Sequence, residues 1–210
     1  MPLERAILFI DGSNFYHSAD RIGVATGSLD YRALAQKLIL ARELVGIRYY
    51  VGKVSGNLSR IAAQNRFLQS LKAQGVTVTL GRIERKFVPP DKNPAITRLK
   101  ALLAASAKYM DLPLRAEMQA LCQTKFPQYT EKRVDVSIAV DMVMKAQADE
   151  YDVAYLLSAD GDFVPAVRAV RNLGKTVFAV SAASGRELAK AANAFIPLRA
   201  EWFQEITLSS

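Results

Sequence analysis

Three short stretches of this sequence place aspartates where they could do chemistry: Ile10-Asp11-Gly12-Ser13-Asn14, Val134-Asp135-Val136 and Ser158-Ala159-Asp160-Gly161-Asp162-Phe163. Carboxylates gathered with no histidine or cysteine beside them suit a hard divalent cation, and such a cation suits phosphate chemistry. The set supplies its own reason to bind metal, because like charges brought together raise one another's pKa and a cation relieves that cost. A cation held there would polarise a phosphodiester, lower the pKa of an attacking water and neutralise the leaving oxygen. Taken singly, Asp-Gly and Asp-Gly-Asp are ordinary turn sequences, and Ser13 and Asn14 are ordinary helix caps. Asp160-Gly161-Asp162 also lacks the spaced ligands and closing glutamate of an EF-hand. The weight lies in the combination.

The elements that must position these residues alternate along the chain. Ala6 to Ile10 is a continuous apolar run suited to a buried parallel strand, and Val153 to Leu157 is another. Asp11 follows the first directly and Asp160 lies three residues beyond the second. If these two strands are neighbours where the winding of the sheet reverses, both carboxylates enter one crevice. Asp30 caps a helix carrying Leu34, Leu38 and Ala41, and Gly46 precedes a strand over 47–51. After the loop Ser55-Gly56-Asn57 comes a helix with Ile61, Leu68 and Leu71 on one face, ended by Gly75, and then a strand over 76–80. Later come a helix from Phe163 to Leu173 closed by Gly174, a strand over 176–180, a helix over 184–193 and the run Phe195-Ile196-Pro197-Leu198. Alternating strands and helices predict an α/β protein whose parallel sheet is covered on both faces.

Two segments depart from that rhythm. Residues 87–131 open on Pro89-Pro90, carry Leu99, Leu102 and Leu103 in a helical pattern, and continue from Pro113 in a helix-like run to Phe126. They read as a helical insertion or lid within a single domain spanning 1–210. Val134, Val136, Ile138, Val140 and Met142 alternate as a strand would, yet the apolar character continues through Val143, Met144, Ala146 and Ala148. Length favours a largely buried helix with Asp135 at its start.

Composition sets the background. The chain has 210 residues and a formal charge of +8, with a pI of about 9.6, so a polyanion such as nucleic acid is a natural partner. Cys122 is the only cysteine, which excludes an internal disulfide and a cysteine-based zinc site, and it reads as a small buried hydrophobe. His17 is the only histidine; with no nucleophile-elbow sequence to accompany it, a Ser-His-Asp triad is not supported, and His17 reads as an ordinary residue of its segment. The apolar run before Asp11 is too short for a signal-peptide core, and no stretch approaches the length of a membrane span. A cytoplasmic protein with no membrane partner is expected.

The motifs occur in a familiar order. Ile-Asp-Gly-Ser-Asn-Phe (10–15), Lys-Arg-Val-Asp-Val-Ser-Ile-Ala-Val-Asp-Met (132–142), Leu-Ser-Ala-Asp-Gly-Asp-Phe (157–163) and Gly-Lys-Thr-Val (174–177) resemble the NYN domain of the PIN-like nuclease superfamily, which includes the LabA-like proteins. The resemblance implies a three-layer α/β/α fold with a central, mostly parallel sheet in which the first strand and the strand at 153–157 are neighbours. It also implies a helix from 134. By analogy, Asp11, Asp135, Asp160 and Asp162 form an acidic catalytic site for Mg²⁺ or Mn²⁺, with Asn14 orienting the first loop or the phosphate. Ser13, Ser158 and Asp141 are supporting residues; Asp141 lies six residues from Asp135, about 120° around a helix, so both cannot easily bind one ion. Two departures stand out: Ala159 occupies a position where the family often has glycine, and the glutamate that PIN-type nucleases commonly supply from a middle helix has only Glu84 and Glu117 as nearby candidates.

The expected function is therefore a metal-dependent nuclease, an endoribonuclease acting on RNA, with DNA as the other substrate to consider. Lys132, Arg133 and Arg168 flank the motifs and would guide the backbone, followed by Lys53, Arg60, Arg82, Arg85 and Lys86. The alternative is a non-catalytic RNA-binding or regulatory module that keeps the fold. A phosphatase reading is weaker, since Asp11 lacks the second residue of an Asp-x-Asp motif and no glycine-rich phosphate loop is present. A homodimer built through the insertion stays open.

Overall fold

A computed structural model describes residues 2–54, 57–123 and 126–207. In chain order its elements are β1 (Arg5–Asp11), α1 (Gly12–Asp20), α2 (Tyr31–Ile39), β2 (Glu43–Gly52), α3 (Leu58–Ala73) and β3 (Thr77–Val88). There follow α4 (Pro94–Ser106), α5 (Leu112–Gln123), β4 (Phe126–Lys132), α6 (Val134–Gln147) and β5 (Val153–Leu157). The chain ends with α7 (Val164–Asn172), β6 (Thr176–Ser181), α8 (Arg186–Ala191) and β7 (Ala194–Pro197). Contacts group these into two compact units, residues 1–82 with 131–210, and residues 83–130.

In the larger unit the strand order is β3-β2-β1-β5-β6-β7, all six running parallel. Successive side chains of a strand face opposite ways, so a strand buried on both faces must be apolar throughout. β1 shows this directly: Leu8 and Ile10 pack with Phe15, Tyr31, Leu34 and Leu38, whereas Ile7 and Phe9 pack with Ile138, Met142, Val167 and Val170. All five residues of β5 are buried. The result is the three-layer α/β/α arrangement, with α1, α2 and α3 bordering one face and α6, α7 and α8 the other. Helix boundaries follow side-chain chemistry. Asp30 accepts hydrogen bonds from the amides of Arg32 and Ala33, both at 2.9 Å, and so starts α2. Gly174, at φ +80°, takes the left-handed conformation that ends the turn after α7.

The segment from 134 is a helix, α6, as its length favours. Other boundaries move. The helix after Asp30 stops at Ile39, before Ala41, and Leu40 takes φ +57° there. The expected helix from 163 begins as a single 3₁₀ turn at Gly161–Phe163, because Asp160 caps that turn before α7 takes over. The helix-like run from Pro113 does not reach Phe126: α5 closes at Gln123 and Phe126 begins β4. Ser55, Gly56 and residues 124–125 lie outside the described residues.

The smaller unit is organised around α4 and α5, which bury Ile96, Leu103 and Cys122 together, with Leu99, Met110 and Met118 packed against them. Cys122 is thus a small core residue, as its isolation suggested.

Candidate functional site

The order β2-β1-β5 means that the chain winds outward from β1 in both directions, so β1 and β5 flank the reversal point of the sheet. Ile10 is in register with Leu157, and the chain leaves both strands at the same edge of the sheet. Asp11 therefore lies beside the Ser158–Asp162 loop. Its Oδ1 accepts a hydrogen bond from the amide of Asn14 at 3.1 Å, capping α1, and its Oδ2 accepts one from Ser158 Oγ at 3.2 Å. Ser158 Oγ in turn accepts from the amide of Asp160 at 3.1 Å. Asn14 Oδ1 accepts from the amide of Ala159 at 3.0 Å, and Asp160 Oδ1 from the amide of Asp162 at 2.9 Å. The two loops are stitched together by the side chains of both motifs. Ala159 is not among the residues at positive φ, so alanine is accommodated there without strain.

Close packing makes this edge possible. A methyl group added to Gly12 would lie 2.6 Å from Tyr49 Cε1 and 2.7 Å from the Tyr50 carbonyl oxygen, so only glycine lets the start of α1 approach β2 this closely.

Electrostatics concentrate on Asp11. It is 4% exposed, and burial pushes its pKa from 3.8 up to about 6. The Asn14 amide pulls it back, the Asp135 charge raises it, the Ser158 hydroxyl lowers it and the Asp160 charge raises it again. Asp135, in the first turn of α6, is also raised, by burial and then by the charges of Asp160 and Asp162. Four aspartates from three elements thus share one field.

A cavity of about 300 Å³ opens at this point, lined by Asp11, Asp135 and Asp160 together with Asn14, Lys132 and Arg133. Ser13 and His17 complete its α1 side. Arg133 sits at φ +80°, a left-handed conformation costly for a residue with a side chain, immediately before α6. Asp162 is exposed and outside the lining, acting on Asp135 through charge. Among the described residues no three His, Cys, Asp or Glu side chains form a ready-made metal-holding group. The three carboxylates are nevertheless mutually repelling oxygen donors, Asp11 buried, Asp160 half-buried and Asp135 exposed. That suits a hard cation that takes few carboxylates and fills its shell with water and phosphate oxygens.

The remaining predicted residues fall elsewhere. Asp141 is not part of the cavity: its Oδ2 accepts hydrogen bonds from the Tyr50 hydroxyl at 2.6 Å and from Arg48 at 3.2 Å, fastening α6 to β2. Arg168 is exposed on α7, Lys53 is exposed just past β2, and Arg82 is exposed on β3. Arg60, on α3, lines a different cavity. The side chains of Arg85 and Lys86 lie outside the described residues. Glu84 and Glu117 belong to the smaller unit. A different glutamate stands by the loop: a methyl group on Gly161 would lie 2.9 Å from Glu187 Oε2. Glu187 opens α8 and is separated from the motif by β6, so nothing local in the sequence signals it. His17 was legible in principle, since Ser13, Asn14 and His17 fall on one face once 12–20 is taken as a helix.

A doubly covered parallel sheet with aspartates gathered at its reversal point defines the chain as a PIN-like α/β protein. The NYN domain family model matches residues 5–100 and 91–199, and the chain belongs to that family. Membership carries a nuclease-like function directed at nucleic acid, in a group that generally uses divalent metals. A crystal structure of a protein of unknown function from Vibrio parahaemolyticus is similar in fold, with 18% identity, a TM-score of 0.59 and 96% of each chain covered. No curated protein matches the chain. Among the described residues, no helix is long and apolar enough to cross a membrane.

Proposed function

We propose that this chain is a divalent-metal-dependent endoribonuclease whose site is the cavity at the β1–β5 reversal point, with Asp11, Asp135 and Asp160 as its carboxylates and Asp162 as an outer charge. The observation that carries the reading is the convergence of three carboxylates from separate elements, beside Lys132 and Arg133, in one open cavity. When bound, Mg²⁺ or Mn²⁺ supplies Lewis acidity and a more acidic attacking water. Asp11, Asp135 and Asp160 hold the cation. Asn14 and Ser158 fix the Asp11 carboxylate through one hydrogen bond to each of its oxygens. Lys132 and Arg133 draw the phosphate backbone to the cavity, and Arg168, Lys53 and Arg60 extend that attraction over the surface. The single domain expected over 1–210, with 87–131 as an insertion, is part of the same reading, as is a cytoplasmic location.

Cleavage of single-stranded and structured RNA, with and without Mn²⁺, tests it. Turnover abolished both by EDTA and by Asp160→Asn is the expected result. Turnover that survives either one overturns the mechanism. Salt-dependent RNA binding without metal-dependent turnover would assign the chain instead to the non-catalytic RNA-binding modules.

A further inference from the structure

The acidic cavity has a larger neighbour. A second cavity of about 730 Å³ shares Ser13 and His17 with it, so the two meet across the exposed face of α1. Their linings contrast. The second holds no carboxylate and is built from Gly12, Tyr49, Phe67 and Val51, with Tyr16 and Arg60 also bordering it. Tyr49 and Phe67 meet edge to face at 5.5 Å between ring centres, and Tyr16 meets His17 edge to face at 5.4 Å. Tyr16 is 52% exposed, so its ring is left for something other than the core to cover.

We infer that this second cavity is a nucleobase subsite, which seats one unstacked base of single-stranded RNA while the adjoining phosphate lies at the aspartates. The inference rests on the nuclease reading for the position of the phosphate. Four observations support this occupant. The cavity adjoins the acidic one at Ser13 and His17, which line both, so a base and its own backbone can reach the two together. Its volume lies within the roughly 300–1,000 Å³ of small-molecule sites, ample for a base and its ribose. Arg60 supplies positive charge at the border, and no described residue pairs its guanidinium. Tyr16 presents an exposed ring and Phe67 a half-buried one, and such rings bind bases by stacking.

The polar groups inside say what kind of recognition this is. Gln64 is already committed, accepting from the Val54 amide at 2.8 Å and donating to the Gly52 carbonyl at 2.7 Å. Tyr49 is buried, its ring packed edge to face on Tyr31 at 5.6 Å between centres. With Gln64 committed and Tyr49 buried, the cavity relies on stacking and shape more than on base edges, so the subsite should tolerate any base. It also discriminates strandedness, since a paired base inside an A-form helix cannot enter.

Binding of fluorescein-labelled decauridylate in EDTA tests the subsite, alongside the same oligomer with one abasic residue walked along it and an RNA duplex. Tyr16→Ala alters only an exposed ring, and Ala63→Trp fills the cavity from an exposed position of α3. Each is expected to weaken decauridylate about tenfold, inside the roughly 5- to 150-fold that one base on one ring supports. Duplex affinity and the slope of log K against log salt should be unchanged. An abasic residue at one position should cost a similar factor, and Tyr16→Ala should cost nothing further on that oligomer. Equal binding of intact and abasic oligomers, or an equal loss on duplex, overturns the subsite. Metal-dependent cleavage with that result leaves the nuclease reading standing alone. Ring-dependent, single-strand-selective binding with no metal-dependent cleavage removes the nuclease reading and keeps the base site.

Discussion

Replacing Asp11 by asparagine should make the metal-free protein more stable, and by an amount that depends on pH. The unfolded chain releases this proton near 3.8 and the folded chain near 6. Between those values the native state binds more protons than the unfolded one, so stability falls as pH rises through that window. Above it the cost of the buried charge is fully present, at about 3 kcal/mol. Asparagine avoids that cost while keeping an oxygen for the Asn14 amide. Its NH₂ can donate to Ser158 Oγ, which has a second lone pair beside the one used by the Asp160 amide. Urea unfolding in EDTA at several pH values reads the difference directly. The variant should match wild type at about pH 4 and exceed it by up to about 3 kcal/mol at about pH 8. Mn²⁺ should then raise the stability of wild type in proportion to the logarithm of its concentration and leave the variant unmoved. A gap that is constant with pH, or a variant less stable than wild type at the alkaline end, would refute the claim that a desolvated charge burdens this position.

Other positions give separable outcomes. Arg133→Gly should stabilise the fold by about 1 kcal/mol in urea melts, by relieving the left-handed backbone, while weakening RNA binding through the lost cation. Gly12→Ala should cost about 1–3 kcal/mol in the same melts, because the new methyl meets the fixed Tyr50 carbonyl and the buried Tyr49 ring. Tyr50→Phe should lose about 1.5–3 kcal/mol by removing a hydrogen bond to the Asp141 carboxylate, with the metal dependence of cleavage unchanged. Asp152 is held well below the usual carboxylate range by hydrogen bonds from Arg5. Its stabilisation is present above the ordinary carboxylate pKa and fades as the pH falls, so Asp152→Asn should narrow the loss of stability on acidification measured by thermal melts.

The sheet was readable because its chemistry is local. A strand buried on both faces must be uniformly apolar, and Ala6–Ile10 and Val153–Leu157 can be little else. Caps and terminators, Asp30 and Gly174 among them, were readable for the same reason. The 134–147 segment was decided by length, since alternation at Val134, Val136 and Ile138 also fits a strand. What escaped was whatever depends on distant partners. Phe126 leaves the helical pattern for a strand, Asp141 is claimed by Tyr50 and Arg48, and Glu187 reaches the loop only through the course of β6 and α8. Sequence order could not disclose those meetings.

The acidic edge is also the part of the fold that folding by itself does not favour. A carboxylate 4% exposed, capping a helix beside two others that repel it, contributes less to stability than a neutral group would. The apolar packing on both faces of β1 and β5 supports it, so the cost falls on residues that the core can spare. The hydrogen bonds from the Asn14 amide and the Ser158 hydroxyl oppose that burial: they favour the ionised carboxylate, while burial remains the larger influence. Replacing Ser158 by alanine removes the one side-chain hydrogen bond to Asp11 and should drive its pKa higher still, and with it the pH at which metal first binds. No side-chain change at Asn14 gives the same test, because Asn14 bonds Asp11 through its backbone amide; Ser158→Ala also releases the Asp160 amide. A metal-binding midpoint that moves to higher pH in Ser158→Ala would show those hydrogen bonds holding the site in its metal-ready form; an unmoved midpoint would assign them to loop structure alone.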